Sequence, residues 1–139
     1  MNKQPQMIFI NLPVNNLSHS KTFYEAIGFK QNNQFSDETA ACMVISETIM
    51  VMLLTHPKWK QFTNRTIPNS KESAQVLLCL SRDSKTAVDE MVEAGKKFGG
   101  KADPNKIQDL GFMYGRSVED PDGHIWEMMW MDTSAMPAQ

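Results

Sequence analysis

The chain has 139 residues, of which 41% are hydrophobic and 22% charged, with a formal net charge of −2. This composition is typical of a globular chain that holds one domain or two small modules sharing a core. The charge balance lacks the basic excess that nucleic acids or anionic membranes attract, and no apolar run nears the roughly 20 residues of a membrane span. The polar start MNKQPQ predicts no secretory signal, so we expect a cytoplasmic protein without nucleic-acid or membrane partners.

Sulphur-containing residues give two further expectations. Cys42 and Cys79 each lie inside an apolar segment, which predicts buried thiols in a reducing compartment. The chain also has 11 methionines, many of them in apolar runs. Methionine either fills irregular core space or forms the wall of an adaptable cavity.

The first half of the chain alternates strand and helix signals. Residues 7–14 (MIFINLPV) are rich in β-formers and predict a strand. The following NNLSHSKTFYEAIGF predicts a helix that is capped by Asn16 or Ser18 and ended by Gly28. Three further short strands are predicted at residues 29–35, 39–46 and 49–55.

The second half restarts this pattern after a polar connector. Residues 56–74 contain two prolines and no clean period, which predicts a linker with at most one irregular helical turn. Beyond it, the turn residues Asp120-Pro121-Asp122-Gly123 join two apolar runs. The predicted elements are a strand at 75–80, a helix at 84–97, and strands at 111–119 and 124–131.

We interpret the two halves as repeats of one pattern, β-α-β-β-β, on either side of the linker, with three of the four strands of the second half identified by their own signal. Their helices also begin alike, with Ser20-Lys21-Thr22 in the first and Ser84-Lys85-Thr86 in the second. An internal repeat explains both observations.

The chain resembles the vicinal oxygen chelate superfamily in its paired β-α-β-β-β pattern, in the sequence of its first helix, LSHSKTFYEAIGF, and in the turn sequence DPDGHIWE. That superfamily contains glyoxalase I, bleomycin-resistance proteins, fosfomycin-resistance enzymes and extradiol dioxygenases. The resemblance covers nearly the whole chain. Within it, the segments MIFINLPV, CMVISETIMVMLLT and GFMYGRSVEDPDGHIWEMMWMD look like a bacterial group labelled predicted lactoylglutathione lyases.

The resemblance implies an α+β fold in which two βαβββ modules form a curled mixed sheet around a cavity, with the helices outside. Residues 1–139 would then be a single domain. Its parts would be module 1 at about 7–55, a linker at 56–74, module 2 at about 75–131 and a tail at 132–139.

The resemblance also implies a divalent metal held by four strand residues, usually His, Gln or Glu. These positions carry over onto Phe9, Leu53, Gln75 and Glu127. Phenylalanine and leucine have no lone pair to offer, so Glu127 and Gln75 are the only surviving candidates. We therefore expect no metal or other cofactor at this position.

Two neighbouring residues carry side chains that could act as substitute ligands. Asn11 lies on the same strand face as Phe9 but has a short side chain, and His56 lies beyond the end of the predicted strand. Neither replaces the missing pair of ligands. Asn11 remains a candidate for the wall of a ligand pocket.

Glu127 is the residue of greatest interest in the last strand. It shares a face with Ile125, Met129 and Met131, and such a carboxylate is either a pocket acid or a structural hydrogen-bonded group. The alternating residues are predicted to pack as core under the helices, namely Trp126, Met128 and Trp130.

Other polar and aromatic side chains complete the set of pocket candidates. Tyr114 and Arg116 lie on the opposite strand face from Ser117, and the resemblance favours Ser117 as the inward residue. Arg116 either clamps an anionic ligand group or pairs with an acid at the surface. Trp59 and Phe62 form either an aromatic lip at the cavity mouth or an anchor for the linker.

Three functions remain open at this point. The first, which we expect, is a metal-free protein that binds or sequesters a small molecule in an apolar cavity. The second is a metal-dependent lyase or isomerase of the lactoylglutathione lyase type, with Glu127 as ligand or proton-transfer base. The third is a non-catalytic dimer with no physiological ligand. The resemblance implies a homodimer in all three cases.

Overall fold

The computed structural model describes residues 3–135 and divides into two compact units, Met1–Pro68 and Asn69–Gln139. Each unit contains a mixed sheet with a helix between its first two strands. The predicted α+β class built from two βαβββ modules is confirmed. Within the described residues, no helix combines the length and apolar character that crossing a bilayer requires.

The first unit carries a four-stranded sheet in the order β1-β4-β3-β2. Strands β1 and β4 pair in parallel, and the other two pairings are antiparallel. The elements of this unit are β1 Ile8–Val14, α1 Leu17–Ala26, β2 Lys30–Asn32, a 3₁₀ turn Asn33–Phe35, β3 Ala40–Val44, β4 Ile49–Thr55 and α2 His56–Trp59.

The second unit repeats this topology in the order β5-β9-β8-β6, with β7 also pairing with β8. Here β5 and β9 pair in parallel, as β1 and β4 do. The elements of this unit are β5 Leu78–Ser81, α3 Lys85–Lys97, β6 Lys101–Ala102, β7 Gln108–Asp109, β8 Met113–Glu119, β9 Ile125–Met131 and a 3₁₀ turn Thr133–Ala135. The last four residues of the predicted tail, 136–139, lie outside the described part of the chain.

Polar caps fix where both long helices begin. Asn16 rather than Ser18 caps α1, because its side chain accepts a hydrogen bond from the backbone N–H of His19. Ser84 caps α3 in the same way, through the backbone N–H of Ala87. The chain leaves α1 through Gly28 at a φ of 107°, a conformation that glycine adopts at little cost.

Two of the three predicted core residues of the last strand are buried, whereas Trp130 is half-buried. Trp126 and Met128 are fully buried, as is Val118 beside them on β8, and α3 packs against both strands. In the first unit, Phe23 and Tyr24 of α1 are also completely buried. Each unit therefore builds its apolar core between one helix and one face of its own sheet.

Candidate functional site

Three residues of the second unit form a row across its sheet. Glu127 on β9 is in register with Cys79 on β5 and with Ser117 on β8. Residues in register on neighbouring strands point to the same face, so the three side chains lie side by side. We call this set the Glu127 row. It lies on the opposite face from the buried Trp126 and Met128.

A recess of about 100 Å³ opens over the Glu127 row. Met113 lines it from β8, the strand of Ser117, and Met129 lines it from β9, the strand of Glu127. Lys106 and Gln108 complete the wall from the segment that precedes β8. Sequence patterning had placed Met129 on the face of Glu127, but it gave no sign of the contributions from Cys79, Lys106 and Gln108.

Glu127 is half-buried. Within residues 3–135 it accepts no hydrogen bond and forms no ion pair. The neighbouring Cys79 is an exposed residue, which corrects the prediction of a buried thiol, whereas Cys42 is buried as expected. Desolvation of the thiol raises the pKa of Cys79, and the negative charge of Glu127 raises that pKa further. The thiol is therefore protonated at neutral pH.

Ser117 is almost fully buried and holds the segment before β7 in place. Its hydroxyl oxygen accepts a hydrogen bond of 3.0 Å from the backbone N–H of Asn105. Its carbonyl oxygen accepts a second bond of 2.8 Å from the backbone N–H of Asp103. Lys106, which lines the recess, is the residue after Asn105. The two bonds therefore fix this wall of the recess to β8.

The turn before β9 positions Glu127 along the strand. The Asp120 side chain is buried and accepts hydrogen bonds from the backbone N–H groups of Asp122 at 2.9 Å and His124 at 2.8 Å. Gly123 completes the turn at a φ of 102°. The tight turn predicted from this segment is confirmed, and its side-chain bonds fix where β9 begins.

Tyr114 and Arg116 lie on the helix side of the same sheet. The Tyr114 hydroxyl donates a bond of 2.6 Å to Asp89 of α3, which raises the pKa of Tyr114. Arg116 borders the recess, but its guanidinium donates to Asp89, Asp103 and Glu93 at 2.8 to 3.0 Å. The predicted alternation is confirmed, and of the two options for Arg116 the structure shows pairing with acids.

The pocket candidates of the first unit do not all share one face. Phe9 and Asn11 point to the same side of the first sheet, and Met52 on β4 is in register with Asn11. Leu53 is in register with Leu12 and therefore points to the other side of the sheet, where it is fully buried. The assignment of Leu53 to the site is corrected to Met52, since a shift of one residue reverses the face.

The remaining candidates lie outside regular strands. Gln75 is an exposed residue in the irregular segment before β5. The strand position beside Glu127, where the resemblance would place Gln75, is occupied by Cys79. Trp59 lies in α2 of the first unit. Phe62 follows this helix and is exposed, with the Lys58 ammonium 5.6 Å from its ring centroid.

The residues present do not fit the four-ligand metal site that the resemblance implies. The repeat makes Met52, flanked by Asn11 and Cys42, the counterpart of Glu127 in the first unit. A thioether is a poor ligand for a hard divalent ion. Among residues 3–135, no three His, Cys, Asp or Glu side chains converge in a way that could hold a metal ion.

Comparisons with known proteins agree on the fold. The family model of the Glyoxalase/Bleomycin resistance protein/Dioxygenase superfamily matches residues 6–128. Among curated proteins, none matches the chain.

Several solved structures are similar. The hypothetical protein SA1046 from S. aureus has 24% identity and a TM-score of 0.75, covering 92% of this chain and 95% of its own. The fosfomycin resistance protein FosX from Listeria monocytogenes has 17% identity and a TM-score of 0.62, with 100% and 97% covered. The antibiotic binding protein TnmS3 from Streptomyces sp. CB03234 has 17% identity and a TM-score of 0.63, with 94% and 99% covered.

Proposed function

The chain belongs to the Glyoxalase/Bleomycin resistance protein/Dioxygenase superfamily, and we propose that it binds a small molecule in the recess around Glu127 without a metal ion. The observation that carries this proposal is the unpartnered, half-buried carboxylate of Glu127 inside a methionine-lined recess. A fosfomycin resistance protein and an antibiotic binding protein share the fold, which supports a small-molecule ligand.

The energetics of Glu127 favour a ligand over a purely structural role. A carboxylate that is partly removed from water loses hydration, and a protein hydrogen bond normally offsets that loss. Glu127 has no such bond within the described residues, so its conformation leaves a strong acceptor open toward the recess. A bound ligand with a hydrogen-bond donor would restore the missing interaction.

The size of the recess limits what it holds. Its volume of about 100 Å³ is well below that of a pocket that encloses a whole drug-sized ligand, for which about 300 to 1,000 Å³ is usual. We infer that the recess takes one end of the ligand and that the remainder extends beyond it.

Methionine methyl groups provide a direct test of this site. In protein labelled with ¹³C at the methionine methyls, a fragment collection of cationic, neutral and anionic compounds is expected to contain binders that shift the Met113 and Met129 signals. The signal of Met43, which is fully buried in the first unit, serves as an internal reference. In the variant Cys79→Phe, whose ring fills the recess, the shifts are expected to disappear. Shifts that persist in this variant, or a collection without binders, would contradict the proposal.

Metal analysis provides an independent test. The purified protein, offered nickel, zinc, manganese and cobalt in turn and then dialysed, is expected to retain less than one ion per chain. The physical reason is that hard divalent ions prefer about six oxygen or nitrogen ligands, and the positions in question offer Glu127 beside hydrocarbon and sulphur. Elemental analysis measures the retained ion.

Two outcomes would instead favour the lyase or isomerase. One is a stoichiometric ion that the wild-type protein holds and the variant Glu127→Gln loses. The other is robust isomerisation of a hemithioacetal in the presence of one of these metals, again abolished by Glu127→Gln. Our expectation is that neither is observed, and that Glu127→Gln changes ligand binding only.

A further inference from the structure

The recess around the Glu127 row is lined by one carboxylate, that of Glu127, and by two cationic side chains, Lys106 and Arg116. Glu127 extends from the central part of β9, and its neighbours on the sheet are a thiol, a hydroxyl and thioethers. The Arg116 guanidinium is already paired with the carboxylates of Asp89, Glu93 and Asp103. Lys106 is an exposed residue in an irregular segment. Water screens the ammonium of an exposed lysine more strongly than a half-buried carboxylate, so the field inside the recess is set by Glu127.

The neighbours of Glu127 do not satisfy its carboxylate. The Ser117 hydroxyl oxygen accepts the backbone N–H of Asn105, and within residues 3–135 its O–H forms no hydrogen bond with Glu127. The Cys79 thiol is protonated and is at best a weak donor. The strongest open hydrogen-bond acceptor of the recess is therefore the Glu127 carboxylate, which lies beside apolar methionine side chains.

We propose that the recess binds a compact organic cation, an ammonium, amidinium or guanidinium group of the ligand, with its N–H donors on Glu127 and its carbon framework against Met113 and Met129. This inference rests on the proposed function, because it specifies the ligand class for the same recess. Charge-assisted hydrogen bonds are roughly twice as strong as neutral ones. Thioether sulphur is polarizable and adapts to flat or irregular groups, which suits a planar cationic head.

The volume is consistent with such a group. A dry cavity of roughly 150 Å³ in another protein holds benzene, and the recess here is somewhat smaller and open on one side. It can therefore enclose the charged head of an aryl amidine while the ring lies partly outside. A phosphate or carboxylate head would instead place its negative charge in contact with the Glu127 carboxylate, and two like charges in contact repel each other.

Three probes of nearly equal shape test the charge. They are 4-aminobenzamidine, which is cationic, 4-aminobenzamide, which is neutral, and 4-aminobenzoate, which is anionic. Titrations of the methionine-labelled protein are expected to show the amidine shifting the Met113 and Met129 methyl signals with an affinity at least about tenfold higher than that of the amide. The benzoate is expected to produce no saturable shift.

Two variants with the same chemical change locate the effect. Glu127→Gln keeps the shape of the side chain and is expected to lower amidine affinity about tenfold or more while leaving the amide unaffected. Glu119→Gln is the matched control, because Glu119 lies on the same face of β8 as Ser117 but does not line the recess. It is expected to change amidine affinity by less than about twofold. Far-UV circular dichroism and melting temperatures check that both variants are folded.

The outcomes separate this inference from the proposed function. Equal binding of amidine and amide at the recess methyls, with Glu127→Gln unchanged, would overturn the cationic ligand and leave the small-molecule site standing. Equal weakening by Glu119→Gln would attribute binding to general surface charge and would also overturn it. If no probe shifts the recess methyls, the cation inference fails, and the fragment collection tests the proposed function separately.

Discussion

Replacing Gly123 with alanine is expected to lower the free energy of unfolding by about 3 to 5 kcal/mol. Two physical effects act together. At a φ of 102° the residue lies in a region that L side chains rarely adopt. A methyl group there would also stand 2.6 Å from the backbone nitrogen of Lys71 and 2.7 Å from the carbonyl carbon of Ser70. Backbone atoms cannot rotate away as a side chain can, so either the segment around Ser70 and Lys71 or the turn must move.

Gly111 provides a matched control for the first of these effects. Its φ is 82°, and a methyl group built on it meets nothing within 4 Å. Gly111→Ala should therefore show the backbone strain alone, a loss of about 1 to 2 kcal/mol. The difference between the two variants measures how closely the residues near Lys71 pack on the turn.

Urea denaturation followed by tryptophan fluorescence measures both free energies. A second readout is local: displacement of the segment should make the Lys71 peptide bond more sensitive to limited trypsin digestion in Gly123→Ala than in Gly111→Ala. If the two variants lose equal stability and are cleaved equally, the close approach of this segment to the turn is wrong.

The turn also links stability to the candidate site. Asp120, the first residue of the turn, fixes the start of β9 through bonds to the backbone N–H groups of Asp122 and His124. Register along β9 then decides that Glu127, and not Trp126, faces the recess. A variant that shifts this turn should therefore impair ligand binding as well as folding.

Strong local patterns explain why most elements could be predicted from the sequence. The β-rich text of β1, the two apolar runs of the hairpin and the turn before β9 each carry their own signal. The helix starts followed from Asn16 and Ser84, whose side chains bond to the backbone within three residues. Such signals are local, so they survive without knowledge of the tertiary structure.

Strand ends and register depended on contacts that are distant in sequence. The apolar run at 75–80 predicted a strand from Gln75, but pairing with β9 begins only at Leu78, and Val76 and Leu77 remain exposed. On β4, six apolar residues in succession conceal which one faces which side, and the assignment of Leu53 rather than Met52 was one residue off. The two-residue strands β6 and β7 carry no period at all.

The composition of the recess was also only partly predictable. Alternation on β8 and β9 correctly separated Ser117 and Glu127 from Tyr114 and Arg116. Cys79 could be paired with Glu127 only through the register of β5 and β9. Since that register joins residues 48 positions apart (127 − 79), periodicity within either strand could not supply it.

Arg116→Met is the second substitution for which we expect a large effect, a loss of about 2 kcal/mol in the free energy of unfolding. The Arg116 side chain is 11% exposed and contacts carboxylates of Asp89, Glu93 and Asp103. Its contact with Asp103 is bidentate, with distances of 3.0 and 2.8 Å. The carboxylates remain partly exposed, and the resulting solvent screening keeps the expected loss below that of a fully buried ion pair.

Two comparisons isolate the contribution of the guanidinium. Arg116→Lys keeps the charge but not the planar fork, so it should recover less than the full loss. Lys85→Met removes a cation from an exposed pair, 3.8 Å from Asp109 in the same unit, and should cost less than about 1 kcal/mol. If Arg116→Met costs no more than Lys85→Met, the Arg116 cluster does not stabilise the unit.

The effect of Arg116→Met should also depend on pH. The hydrogen bond from Tyr114 and, secondarily, that from Arg116 hold the pKa of Asp89 below its ordinary value of 3.8. A carboxyl whose pKa is lower in the folded state stabilises the protein above its unfolded pKa, and this contribution is lost as the pH falls through the folded value. The stability difference between wild type and Arg116→Met should therefore be largest near neutral pH and should shrink below about pH 4. Urea titrations at a series of pH values measure it, and a difference that stays constant or grows toward acid would show that Arg116 acts through apolar packing of its side chain and not through its charge.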